Sequence, residues 1–240
     1  MIERIPFDSI GHANHGWLDA RHHFSFANYH DPERMGVGPL IVWNDDTIQA
    51  GSGFPMHPHR DMEIITYVRT GQIDHADHLG NRGTTKAGDV QVMSAGTGIM
   101  HAEYNMGKEA TTLFQIWIAP NRRGLPPRWD QREFPRGDRA DRLVPLASGQ
   151  DDKIEAGALF IAQDATIYGA TLTGGTVVEH AMGSGRIGYL VASEGRVKVN
   201  GTEIGTRDGA IIRAAETLTI EALENAEIVL ADLPDQPVPR

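Results

Sequence analysis

His57-Pro58-His59 and His101-Ala102-Glu103 each place two metal-competent side chains at i and i+2. On a β-strand that spacing turns both toward one face, so two such strands packed face to face would bring four ligands to a point. Three imidazoles and a carboxylate make an N3O donor set. Such a set suits a first-row transition metal better than magnesium or calcium, which take mostly oxygen. The chain has no cysteine, which excludes disulfides and thiolate sites and leaves His, Asp or Glu as ligands. Four protein ligands leave a position open on a five- or six-coordinate ion, the condition for activating a small molecule, whereas a structural zinc closes a tetrahedron.

The surroundings of these pairs are specific. Gly53 precedes His57-Pro58-His59, with Glu63 and Gly71 following; Gly88-Asp89 then leads through Gly96 and Gly98 to His101 and Asn105. The order resembles the two cupin motifs. More narrowly, Phe24-Ser25-Phe26-Ala27-Asn28-Tyr29-His30-Asp31-Pro32, His57 to Glu63, Ser94 to Asn105 and Gln115-Ile116-Trp117-Ile118-Ala119-Pro120 resemble the pirin family and its bacterial members described as quercetin 2,3-dioxygenases. The likeness is dense from Phe24 to Phe134 and thin afterwards.

The resemblance implies an all-β bicupin, two double-stranded β-helix barrels of jelly-roll type packed together. It implies one divalent metal in the N-terminal barrel, held by His57, His59, His101 and Glu103, and opening of a flavonol with dioxygen and release of carbon monoxide. Iron is the expected ion; manganese, cobalt, nickel, copper and zinc are also compatible with the ligands. Some pirins resemble redox-responsive regulators acting through protein partners, which is the alternative reading. A cupin isomerase or hydrolase using the metal as a Lewis acid is a third.

Most metal cupins take their carboxylate from the first motif, here Glu63, and set the second histidine two residues earlier. A one-residue slip exchanges every inward side chain for an outward one. His101 and Glu103 share parity, and Glu63 shares parity with His57 and His59, so either carboxylate can point inward unless a bulge intervenes. Partly on the family likeness, Glu103 is taken as ligand and general base, and Glu63 as a polar group at the edge of the core.

Ten of the eleven histidines precede residue 102, which places function in the first half. Two domains are expected: residues 1–135, metal-binding, and residues 136–240, a degenerate metal-free barrel. In the second half, short strands alternate with turn signals, and Val199-Asn200-Gly201-Thr202 reads as a type I′ hairpin. Glu179 and His180 are adjacent, so on a strand they face opposite ways and cannot chelate together; His180 is read as a satisfied or surface histidine. His22, His23, His75 and His78 are read as solvated or backbone-bonded, Phe24, Phe26 and Tyr29 as core or inter-barrel packing, and Trp117 as a buried strand residue.

With 22 Lys plus Arg against 32 Asp plus Glu, the net charge is -10, which repels a phosphate backbone. Seven arginines between Arg122 and Arg142 are interleaved with acids and prolines and read as a solvated connector, so no direct nucleic-acid contact is expected. The first residues carry no apolar signal core, and no run approaches the length of a membrane span. A cytoplasmic monomer acting on a small aromatic and dioxygen is the expectation.

Overall fold

The computed structural model describes residues 1–236, so residues 237–240 of the expected second domain lie outside the described residues. The architecture is the expected one, nearly all β, with two barrels each made of a seven-stranded and a four-stranded sheet. In the first, the large sheet runs Arg128–Arg132, Val90–Ser94, Glu63–Thr70, Thr111–Ile118, Leu40–Ile48, Leu18–His22, Gly11–Asn14, and the small one Gly53–His59, Ile99–Tyr104, Gln72–Asp77, Arg82–Lys86. The second barrel has a large sheet ordered Ile2–Ile5, Gly209–Arg213, Arg186–Glu194, Ala226–Pro234, Thr166–Leu172, Val144–Ser148, Leu159–Phe160, and a small one ordered Val177–Ala181, Thr217–Ala222, Val197–Val199, Thr202–Ile204. The first strand of the chain thus completes the sheet of the second barrel. Asn200 and Gly201 both have positive φ, 44° and 86°, as a type I′ turn requires. Among the described residues no helix is long and apolar enough to cross a membrane.

The large sheets stack back to back. Glu63–Thr70 is buried almost throughout because its two faces have different partners: Ile65 and Tyr67 join Trp43 and Phe114 against Tyr189, Val191 and Val229 of the second barrel, while Val68 faces its own barrel. Each such apolar side chain contributes about 1.5–3 kcal/mol on full burial. The expectation of a solvated arginine connector agrees with the exposed Arg122, Arg123, Arg132 and Arg142 and is corrected at Arg136 and Arg139. Arg139 is 1% exposed and donates to Tyr67 Oη at 2.8 Å, while Arg136 donates to Glu227 Oε2 at 2.6 Å, so these two arginines neutralise a buried carboxylate between the barrels. Asp45, fully buried, is held likewise by Arg69 and Arg207.

The two interiors differ. That of the second barrel is one apolar cluster including Val178, Leu190, Leu218, Ile220 and Leu230. In the first, apolar side chains form two separate clusters, one around Leu18, Ile48, Ile73 and Leu113 and one around Ile64, Met93 and Ile99. Polar side chains occupy the remainder, and the site is built from them.

Candidate metal centre

The two ligand-bearing strands are not packed face to face. Gly53–His59 and Ile99–Tyr104 are antiparallel neighbours in one sheet, with His101 opposite His57 and Ile99 opposite His59. Directly opposed side chains have Cβ atoms about 5 Å apart, so three imidazoles still converge. Ring centroids are 4.4 Å apart for His57 and His101, 4.8 Å for His57 and His59, and 5.0 Å for His59 and His101. One ligand atom from each lies within 4.8 Å of the others.

The register shifts between His101 and Glu103, so that Glu103 is opposite Phe54. The extra residue falls at Pro55-Met56, where a proline without an N–H costs no ladder bond. Phe54 packs with Trp17 on the barrel's apolar cluster, and the Pro55 carbonyl accepts from His57 Nδ1 at 2.7 Å. That bond puts the His57 proton on Nδ1 and frees Nε2 as a ligand atom. Gly53 is required by closeness: a Cβ there would lie 2.2 Å from the Glu103 carbonyl oxygen.

Glu103 takes a different place from the three histidines. Its carboxylate belongs to a second triplet, with His75 and His101, whose ligand atoms also lie within 4.8 Å of one another. Gln91 donates to Oε1 at 2.5 Å and Gln115 to Oε2 at 2.7 Å. Burial outweighs these bonds and pushes its pKa up to about 7. Glu63 lies in the other sheet, where it accepts from Ser94 Oγ at 2.6 Å and from the backbone of Ala162; it is in neither triplet. Burial raises it to about 7 as well.

The donor set fits a divalent transition metal. His101 Nε2 is buried without a hydrogen-bond partner, a cost that a coordinate bond would remove. Burial, with neighbouring imidazoles adding, pushes His59 down to about 4 and His101 down to about 2, so both are neutral at pH 7, as ligation demands.

The histidines open onto a cavity of about 640 Å³ lined also by Trp17, Phe26, Tyr29, Asp46, Phe54, Gln115 and Trp117. Several residues read from the sequence as solvated or as packing lie elsewhere. His75 is buried, stacked on Trp129 at 4.7 Å and 7°, beside His101. His22 lines the cavity and bonds Asn44 at 2.8 Å, while His23 reaches Tyr189 Oη at 2.8 Å between the barrels. Phe24 does pack between the barrels, but Phe26 and Tyr29 face the cavity, and Trp117 is only partly buried, edge-on to His59. His180 bonds Asp232 at 2.7 Å, a satisfied histidine as expected. No role was read from the sequence for Asp46, Gln91 or Gln115. The signal for the two glutamines was a lone polar residue between apolar ones, Val90-Gln91-Val92 and Phe114-Gln115-Ile116, whereas Asp46 lies in the polar run Asn44-Asp45-Asp46-Thr47 and carried no such signal.

The pirin family model matches residues 6–118, and a quercetinase C-terminal cupin domain matches residues 146–233. A pirin-like protein of Caulobacter vibrioides is 57% identical over 232 residues, covering 97% of this chain and 99% of that protein. The chain belongs to the pirin family. This pirin is also 44% identical over 235 residues to a quercetin 2,3-dioxygenase of Escherichia coli K12, covering 98% and 99% of the two chains. Among solved structures it matches YhhW of Escherichia coli with a TM-score of 0.91 at 42% identity over the whole of both chains. The bacterial pirin YhhW in complex with nickel(II) matches with a TM-score of 0.90 at 42% identity, covering 99% of this pirin and 100% of that chain.

Proposed function

We propose that this pirin is a metal-dependent dioxygenase that opens a flavonol or related enolic aromatic, with His57, His59, His101 and Glu103 holding the metal. The observation that carries the reading is the joining of the histidine cluster to an aromatic-walled cavity of about 640 Å³, within the roughly 300–1,000 Å³ range of small-molecule sites. A divalent ion, iron by the sequence reading and nickel in the Escherichia coli relative, would supply Lewis acidity and access to dioxygen chemistry there. In this reading residues 1–135 form the metal-bearing domain, except that the strand Ile2–Ile5 pairs into the sheet of the second barrel, and residues 136–240 form its metal-free duplicate, in a cytoplasmic protein working as a monomer.

The chain's own residues supply the rest. Glu103, which burial raises to about 7 without a metal, would take the proton of an ionisable hydroxyl beside a carbonyl when it is detached from the metal or only weakly attached to it. Gln91 and Gln115 fix the direction of its two oxygens. Phe26 and Trp117, edge to face at 5.4 Å, form one wall against a planar ring and exclude water from it. Oxygen uptake measured with a flavonol panel, on protein loaded with one metal at a time, tests the assignment. Substrate-dependent uptake with release of carbon monoxide is expected; no uptake with any flavonol and any first-row metal overturns it.

A further inference from the structure

Among the buried side-chain atoms with no hydrogen-bond partner, four belong to residues lining the cavity: Asp46 Oδ1, Gln115 Oε1, Trp117 Nε1 and His101 Nε2. A metal accounts for the last. The other three share one wall. Gln115 is paired with Asn44 across two adjacent strands, so Asp46 is its diagonal neighbour on the same face, and Trp117 stands two residues further along.

Gln115 cannot turn to satisfy itself. Its amide nitrogen donates to Glu103 Oε2 at 2.7 Å, which fixes Oε1 as an acceptor facing outward from that bond. Asp46 is the sharper anomaly. The buried carboxylates Asp45, Glu63, Glu103 and Glu227 all accept hydrogen bonds or ion pairs, whereas Asp46 is 3% exposed with Oδ1 bonded to nothing. Burial, with Asp45 and Glu103 adding, raises its pKa well above the ordinary aspartate value, the direction expected of a carboxyl buried without a partner. A buried polar group left unpaired is destabilising, and such groups persist where a ligand completes them.

We propose that Asp46, with Gln115 and Trp117, reads the hydroxyl and carbonyl oxygens of a polyhydroxylated aromatic and sets the cavity's preference for hydroxylated over bare rings. The proposal rests on the reading of the cavity as an aromatic-substrate site. Bare rings leave Asp46 and Gln115 unpaired, and a site built to bond a hydroxyl rejects the analogue that lacks it.

Anaerobic titration of the metal-loaded protein, with no turnover, compares two probes: 3-hydroxyflavone, and quercetin, which carries further hydroxyls on both outer rings. The native protein should bind quercetin about 10- to 100-fold more tightly, the value of one or two such bonds. In Asp46→Leu the ratio should fall to within about 3-fold of unity, with 3-hydroxyflavone affinity kept and the melting temperature raised by loss of the unpaired carboxyl. Asp46→Asn, which preserves shape, should fold if leucine does not and should show a reduced ratio. A native ratio retained in both variants overturns the proposal, and oxygen uptake in that case leaves the dioxygenase reading standing. Hydroxyl-dependent binding lost in the variants, without uptake in the native protein, supports Asp46 and overturns the dioxygenase reading alone. Binding of neither probe overturns both.

Discussion

His75 stands directly behind His101, with their Nδ1 atoms 3.5 Å apart and the far nitrogen of His75 3.2 Å from Asp77 Oδ2. The two contacts form a single chain of consistent polarity. If His101 Nε2 is the ligand atom, Nδ1 carries the proton and offers it to His75, whose Nε2–H is accepted by Asp77. Partners of this kind fix the tautomer and ring angle of a metal-bound histidine. His75→Ala should therefore weaken metal binding by about 10- to 100-fold while far-ultraviolet circular dichroism stays unchanged. Competition with a chelator of known affinity measures it; native affinity in the variant would show that His75 only packs.

Removing a ligand itself should do more. His57→Ala and His101→Ala are expected to lose most of the bound metal, and the double variant nearly all of it. The barrel should survive, because its apolar clusters do not depend on the ion, which stabilises by RT ln(1 + [M]/Kd), a few kcal/mol at most concentrations. Stoichiometric metal by elemental analysis in the double variant would rule the triplet out.

Glu103→Gln separates ligation from proton transfer. The amide keeps an oxygen that ligates weakly and cannot accept a proton at neutral pH, so metal should be retained at lower affinity while flavonol cleavage falls by about 10²- to 10⁴-fold. Glu63→Gln is the comparison, since Glu63 bonds Ser94 on the other sheet. If Glu63→Gln abolishes metal and turnover and Glu103→Gln spares both, the carboxylate role belongs to the first motif.

What the sequence made legible was parity. Two i, i+2 pairs determined that His57 and His59 share a face and that His101 shares it with Glu103, and this holds whether the strands face each other or, as found, lie side by side. Parity says nothing about a bulge, and the extra residue at Pro55-Met56 changes which residue Glu103 opposes. Nor does it reveal how far a long side chain reaches. Arg139 sits in a stretch of mixed charge that reads as solvated, yet its guanidinium meets Tyr67, 72 residues away in the chain. Phe26 and Tyr29 lie outside the named strands, where no period indicates a direction.

In the second barrel, His180 is bonded to Asp232, which Arg186 also contacts at 2.8 Å. His180→Ala leaves Asp232 with that arginine, so the expected loss is one hydrogen bond, about 1 kcal/mol, read by urea unfolding. Metal content and turnover should be unchanged within error. A fall in either, with the fold intact, would mean that the second barrel acts on the first.

Glu63 should make stability depend on pH in a direction set by its environment. Burial raises its pKa from 4.5 to about 7, against the opposing bonds from Ser94 and Ala162. Between those values the folded chain holds a proton that the unfolded chain has released. The contribution is therefore full below about pH 4.5, shrinks as pH rises, and is gone above about 7. Glutamine holds no such proton, so comparing native protein with Glu63→Gln isolates this group from Glu103 and the histidines. Urea unfolding at pH 5 and pH 8 should show the native protein losing up to about 3 kcal/mol more than the variant across that interval. A difference between the two proteins that does not change with pH would mean that Glu63 titrates as an ordinary carboxylate and that its burial carries no proton.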